Sequence, residues 1–270
     1  MNIIEDRAAK GDWYEIGSSS ILGARSNQQD FGYFYQGREE ALAVVCDGMG
    51  GLEAGEKASR TAVELMIRDF KGKRPGREEA SAFLRQEARK MDQKVAGLTD
   101  EGGKPLRAGT TLAAVYLKGG EMTGISVGDS RIYLIRDRNI ITLNREHNYR
   151  LILKEKLAAG QITREFYETE EKKPQAEALT SFIGMGGLRI VDVIGSPMVL
   201  ESGDIVVLCS DGLYKSLNDS QILAMVRDND LDMDIAARRT TAMALRYGVR
   251  WQDNTTVILL KYTGGLCTHG

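Results

Sequence analysis

The stretch that most constrains this chain runs from Ala41 to Ser59, where the apolar run Ala41 to Cys46 ends on Asp47-Gly48 and passes through a glycine-rich turn into a helix-forming segment. A short, unbroken apolar run bounded by turns reads as a buried strand. An ionised carboxylate at its exit is costly unless a cation or hydrogen-bond donors hold it. The same device recurs late in the chain, where Asp204 to Ser210 leads into Asp211-Gly212. Two strand-end Asp-Gly pairs in one chain point to a common purpose, and a metal ion is the partner that such acids call for.

Composition narrows the classes without choosing among them. Across 270 residues the chain is 42% hydrophobic and 27% charged with a net charge of -2, ordinary for a soluble globular enzyme and unlike a nucleic-acid or anionic-membrane binder. Nothing in it divides the chain, so a single domain, 1–270, is expected. No apolar run approaches the roughly 20 residues of a membrane span, and Met1 to Gly11 reads as a loose leader without a signal-peptide core. A cytoplasmic monomer is expected. Cys46, Cys209 and Cys267 show no metal-ligand spacing and no disulfide framework. Cys46 and Cys209 are read as small hydrophobes.

The pattern along the chain alternates between strands and helical pairs. A strand at Trp13 to Gly17 precedes the polar run Arg25 to Asp30. Phe31 to Tyr35, a turn at Gln36 to Glu39 and Ala41 to Cys46 then read as a hairpin, which sets Asp30 beside Asp47. Amphipathic helices are expected at Ala54 to Phe70 and Arg77 to Leu98. Thr110 to Leu117, Met122 to Val127, Arg131 to Arg136 and Asn139 to Leu143 read as an antiparallel meander, with Asp129 at one strand exit. His147 to Ala159 reads as a helix, and the charged stretch Gln161 to Glu177 as a mobile surface segment. Strands at Leu179 to Ile183 and Ile205 to Ser210, helices at Asp219 to Arg227 and Asp234 to Tyr247, and a strand at Thr255 to Tyr262 complete the chain. The expected class is α+β.

Asp47 and Asp211 follow their strands while Asp253 precedes its own, an arrangement that can bring all three to one edge of antiparallel neighbours. Each alone is an ordinary turn former. Together, without cations, they would repel one another and take up protons. Oxygen-only ligands favour Mg²⁺ or Mn²⁺, and His147 and His269 are too few for a histidine-rich site. His147 reads as a helix-start or packing residue and His269 as a solvated tail residue. Gly48 and Gly212 would let a backbone carbonyl approach an ion. Gly184-Met185-Gly186-Gly187 lacks the strand-to-helix context of a phosphate cradle and reads as a loop.

The ordered set Arg25-x-Asn27-x-x-Asp30, Asp47-Gly48-Met49-Gly50-Gly51, Gly55-Glu56, Ala58-Ser59, Gly109-Thr110-Thr111, Gly128-Asp129-Ser130-Arg131, Ser210-Asp211-Gly212-Leu213 and Asp253-Asn254-Thr255-Thr256 resembles the metal-dependent serine/threonine protein phosphatases of the PPM, or type 2C, family in its bacterial form. The resemblance covers roughly Trp13 to Tyr262. It implies an α-β-β-α sandwich of two antiparallel sheets flanked by helices, and hydrolysis of phosphoserine and phosphothreonine by direct attack of a water activated by two metal ions. By the same resemblance Asp47 bridges two Mn²⁺ or Mg²⁺ ions, Gly48 offers its carbonyl, and Asp211 and Asp253 complete the first ion's shell. Asp30 is a nearby acid that holds water, Asp129 with Asp211 matches a third metal position, and Arg25 grips the substrate phosphate. Residues 161–177 fall where the family carries a flap. Phosphoproteins and a partner serine/threonine kinase are the implied partners. Gln29, Met49 and Leu52 depart from relatives that place Glu or His at these points, which leaves the leaving-group acid unassigned. The alternatives are a non-catalytic binding or sensing protein on the same fold and a phosphatase of small phosphoesters.

Overall fold

Alternating burial on the apolar runs determines the architecture of the computed structural model, which describes residues 7–50, 54–227, 232–248, 250 and 252–265. The first strands are β1 (Arg7–Lys10), β2 (Tyr14–Ile21), β3 (Asp30–Gln36) and β4 (Glu40–Met49), followed by helices α1 (Ala54–Lys73) and α2 (Ala80–Ala96). Next come β5 (Gly109–Thr110), β6 (Leu112–Lys118), β7 (Glu121–Val127), β8 (Arg131–Arg136), β9 (Asn139–Thr142), α3 (Tyr149–Ala158) and α4 (Arg164–Glu170). The chain continues through β10 (Asp192–Val199), β11 (Ile205–Cys209), α5 (Asp211–Tyr214), α6 (Asp219–Val226), α7 (Met233–Gly248) and β12 (Thr255–Tyr262). One sheet runs β1-β2-β12-β11-β8-β9 and the other β10-β7-β6-β4-β3, with β5 paired to β4.

The two strands that lead to the Asp-Gly pairs each lie inside a sheet and bury both faces. On β4, Ala41, Ala43 and Val45 face the other sheet while Leu42, Val44 and Cys46 pack under α1 and α2. On β11, Val206 and Leu208 join the same inter-sheet core, and Val207 and Cys209 pack under α5, α6 and α7. The result is four layers, helix-sheet-sheet-helix, with all strand pairings antiparallel. Each fully buried aliphatic side chain contributes roughly 1.5–3 kcal/mol by leaving water. β4 therefore holds the position of Asp47 firmly.

Several local expectations change. Arg7–Lys10, read as part of a loose leader, pairs along β2 from Arg7↔Ser18 to Lys10↔Glu15; residues 1–6 lie outside the described residues. The run from Thr110 to Leu143 is not one meander. β6 and β7 pair in one sheet, whereas β8 and β9 belong to the other, so Gly128-Asp129-Ser130 is a crossover between sheets. Gly128 makes the turn at φ +100, a region closed to most side chains. Leu179 to Ile183 forms only isolated bridges, Thr110↔Ile183 and Asn148↔Leu179. β10 escaped the sequence reading because Gly195 and Pro197 interrupt its pattern; it is an edge strand with a register shift between Ile194 and Met198, where proline is tolerated. The stretch 161–177 contains α4, capped by Thr163, and a 3-10 turn at Pro174–Glu177. Among the described residues no helix is long and apolar enough to cross a membrane.

Candidate metal centre

In the β3–β4 hairpin the register places Asp30 directly opposite Asp47. β4 does not stop at its acid. Its N–H donates to Thr111 Oγ1 at 2.8 Å, and its carbonyl accepts from Thr111 N–H at 2.8 Å and Thr110 Oγ1 at 2.9 Å. Thr111 Oγ1 also lies 2.6 Å from Ser130 Oγ, which ties Asp47 to the turn carrying Asp129. Gly48 follows because nothing larger fits: a Cβ there would stand 2.1 Å from the Gly55 carbonyl in the first turn of α1. The packing adds a steric reason for this glycine to the carbonyl argument made from sequence.

The opposite sheet supplies the remaining acids. Ser210 follows β11, donates its hydroxyl to Asp30 Oδ2 at 2.6 Å and accepts from Thr256 N–H at 2.9 Å. Asp211 then opens α5, and Gly212 packs against the Asn254 carbonyl, where a Cβ would stand at 2.2 Å. Asp253 precedes β12; one carboxylate oxygen accepts from Asn254 N–H at 2.8 Å and the other from Arg25 Nη2 at 2.6 Å. Lys215, at the C-terminal end of α5, pairs with Asp211 Oδ2. Asn254 Oδ1 accepts from Gln29 N–H at 2.8 Å, fastening the loop before Asp30 to β12.

Arg25, Gln29, Asp47, Gly48, Met49, Asp211 and Asp253 line one cleft of about 450 Å³. Asp30 is buried behind it, and Asp129 is buried on the crossover. Burial raises Asp30 to about 7, opposed by hydrogen bonds from Ser210 and Thr256 and reinforced by the charges of Asp211 and Asp253. Burial, then repulsion from Asp30, Asp211, Asp129 and Asp253, holds Asp47 well above the ordinary carboxylate range. Asp129 rises to about 7, also by burial first and then by Asp211, with Lys215 acting against the rise.

Mutually raised acids are what a site made for cations shows when its own carboxylates face each other. Among the described residues no group of three or more His, Cys, Asp or Glu side chains is arranged to hold a metal ion as it stands. Lys215 and Arg25 instead engage two of the carboxylates. The donor chemistry nonetheless fits hard divalent ions. All donors are oxygens, and Asp30 Oδ1 and Asp211 Oδ1 are buried with no hydrogen-bond partner.

A family profile described as Protein phosphatase 2C matches residues 16–243. The chain belongs to that family. A serine/threonine phosphatase stp of Listeria welshimeri is 28% identical over 240 residues, covering 87% of this chain and 90% of the relative. The protein phosphatase PhpP of Streptococcus pneumoniae is 31% identical, covering 88% and 92%. Among solved structures, the S. agalactiae serine/threonine phosphatase superposes with a TM-score of 0.78 at 27% identity, covering 92% of this chain and 99% of that one. The catalytic domain of the phosphatase PstP in complex with two manganese ions gives 0.72 at 26% identity, covering 93% and 99%. The protein phosphatase 2C fold is thus the helix-sheet-sheet-helix sandwich described above.

Against this type 2C frame, the structure brings Arg25, Asp47, Gly48, Asp211 and Asp253 together at one cleft and sets Asp30 and Asp129 behind and beside it. Sequence reasoning assigned no role to the residues that aim these groups. Thr110, Thr111, Asn254, Ser130 and Ser210 stand in the quoted motifs without a task. Hydroxyls flanking strand-end acids were the available signal. His147 is a buried packing residue with a second duty: it brackets Gly128, donating its N–H to the Gly128 carbonyl at 2.8 Å and accepting the Gly128 N–H on Nδ1 at 3.1 Å. The Gly184 loop does cradle an anion, the chain's own Asp92, whose Oδ1 accepts from Gly184 N–H at 2.8 Å and Gly186 N–H at 3.2 Å. Leu52, Cys267 and His269 lie outside the described residues.

Proposed function

We propose that this chain is a metal-dependent protein phosphatase that hydrolyses phosphoserine and phosphothreonine with Mn²⁺ or Mg²⁺ held by Asp47, the Gly48 carbonyl, Asp211 and Asp253. The observation that carries the reading is the meeting of strand-exit acids from both sheets with Arg25 in one cleft. Divalent ions bound there would supply Lewis-acid chemistry, acidifying water and neutralising phosphoryl charge. Arg25 presents an exposed, forked guanidinium to the phosphoryl oxygens. Asp30, held by Ser210 and facing Asp47, holds the attacking water by its proton.

Water is the nucleophile in this reading, and the hydroxyls and thiols that flank the strand-end acids are otherwise occupied. Ser130 and Ser210 are tied to Thr111 and to Asp30. Cys46 and Cys209 are buried, and burial pushes the Cys209 thiol up to about 12 and the Cys46 thiol higher still. No phosphoenzyme is needed. The reading extends to a cytoplasmic monomer that opposes a serine/threonine kinase, with residues 161–177 selecting phosphoprotein substrates.

The test is phosphate release from a phosphothreonine peptide with Mn²⁺, Mg²⁺ or chelator, beside calorimetry of Mn²⁺ binding to the wild type and Asp47→Asn. Cation-dependent release, abolished by chelator and accompanied by weaker Mn²⁺ binding in the variant, is expected. Full turnover in chelator overturns the reading. Binding of phosphopeptide without hydrolysis would mark a sensor, and hydrolysis of p-nitrophenyl phosphate alone a small-phosphoester enzyme.

A further inference from the structure

Lys215 is a charged residue beside the cleft, paired with one of its acids, that neither the fold nor the proposed reaction requires. It follows Asp211 by one helical turn, and its ammonium pairs with Asp211 Oδ2. Asp211 at the start of α5 contacts it directly, and the charges of Asp129 on the crossover and Glu177 on the 3-10 turn also act on it. The preceding residue fixes the distance to the crossover. Tyr214 donates its hydroxyl to the Asp129 carbonyl at 3.0 Å, and the Arg131 guanidinium lies 3.7 Å over the Tyr214 ring. Lys215 and Asp129 are therefore held on two segments pinned to each other.

We propose that Lys215 is a built-in cation, its ammonium taking the place beside Asp129 and Asp211 where the type 2C resemblance puts a third divalent ion, so that this site takes two ions and not three. The inference rests on the reading of the cleft as a divalent-cation centre. Charge supports it. A third divalent ion beside the ammonium would add like-charge repulsion across a shared carboxylate. Arg25 is not equivalent, because it pairs with Asp253 rather than Asp211 and is free to turn to a phosphate without emptying the Asp129 position.

The experiment is a count of Mn²⁺ bound per chain, by calorimetry and by electron paramagnetic resonance of free Mn²⁺, on wild type, Lys215→Met, Lys215→Arg and Lys215→Met/Asp129→Asn. The Lys215 side chain is 46% exposed, so its replacement leaves the core intact, and melting curves check this. Lys215→Gln serves as a second uncharged variant should Lys215→Met prove unfolded. Expected counts are two for wild type and Lys215→Arg, three for the uncharged variant, and two again when Asp129→Asn is added. Three ions on the wild type, or two on the uncharged variants, would overturn the lysine assignment while leaving the metal reading in place. No Mn²⁺ on the wild type would overturn both, and the missing first two ions would identify that case.

Discussion

Asp47-Gly48 and Asp211-Gly212 are the same device in sequence and different objects in three dimensions. β4 runs on through Asp47 and Gly48 because Thr110 and Thr111 pair with it; β11 stops at Cys209, and Asp211 begins a helix. The largest charges acting on the Asp47 carboxyl are acids, whereas Asp211 has Lys215 on one oxygen. Both glycines serve one steric need, since each lets a neighbouring backbone carbonyl approach to where a Cβ would stand. The pair teaches that the motif fixes the position of an acid, while the adjoining element fixes its electrostatic state.

The largest test removes each acid in turn. Asp47→Asn and Asp211→Asn should both cost more activity than the ~10- to 100-fold lost when a supporting partner behind a metal ligand is removed. Metal-free stability should separate them. Asp47→Asn relieves repulsion and should raise the melting temperature, while Asp211→Asn strands Lys215 and should not. Equal shifts in differential scanning calorimetry would show that the two ends are electrostatically alike.

Next in size, Gly48→Ala and Gly212→Ala should each destabilise by about 1–3 kcal/mol, because backbone must move to admit the methyl group. Urea unfolding measures this. Gly48→Ala presses on α1 and Gly212→Ala on the Asn254 segment, so only the second should weaken the contact that positions Asp253. A neutral result for either would show that its glycine is there for ion approach alone.

A smaller effect comes from pH. The folded, metal-free protein holds protons on Asp30 and Asp129 up to about 7, while the unfolded chain releases them near the ordinary carboxylate value of about 4. More protons are bound by the folded state across that window, so stability falls as pH rises through it. Melting temperatures of the chelated protein between pH 5 and pH 8, on the order of one buffer unit apart, check the sign. Asp30→Asn should flatten the slope, and Mn²⁺, which binds the ionised acids, should reverse it. A slope unchanged by Asp30→Asn would remove Asp30 from the account.

The smallest effect on chemistry is expected from residues 161–177, which lie away from both Asp-Gly pairs in sequence. Shortening this segment should leave p-nitrophenyl phosphate hydrolysis within a few-fold, under about 1 kcal/mol of barrier, while phosphoprotein turnover changes more. Equal losses on both substrates would make the segment a support of the cleft.

Much of this protein was legible in its sequence because its signals are local. Period-two and period-3.6 patterns located most strands and helices, though not β1, β5, β10, α4 or α5, and the hairpin rule put Asp30 and Asp47 at the same end, as the register confirms. Continuous apolar runs marked β4 and β11 as buried strands, and the packing covers both faces of each. What tertiary structure alone decided is non-local. That β7 and β8 part to different sheets, that Ser210 of one sheet holds Asp30 of the other, and that Lys215 rather than solvent meets Asp211 depend on contacts between distant segments. Strand periodicity tells which face of a strand is buried but carries no information about which neighbour buries it. The state of a carboxylate is set by that neighbour, through burial and through the charges that packing brings near.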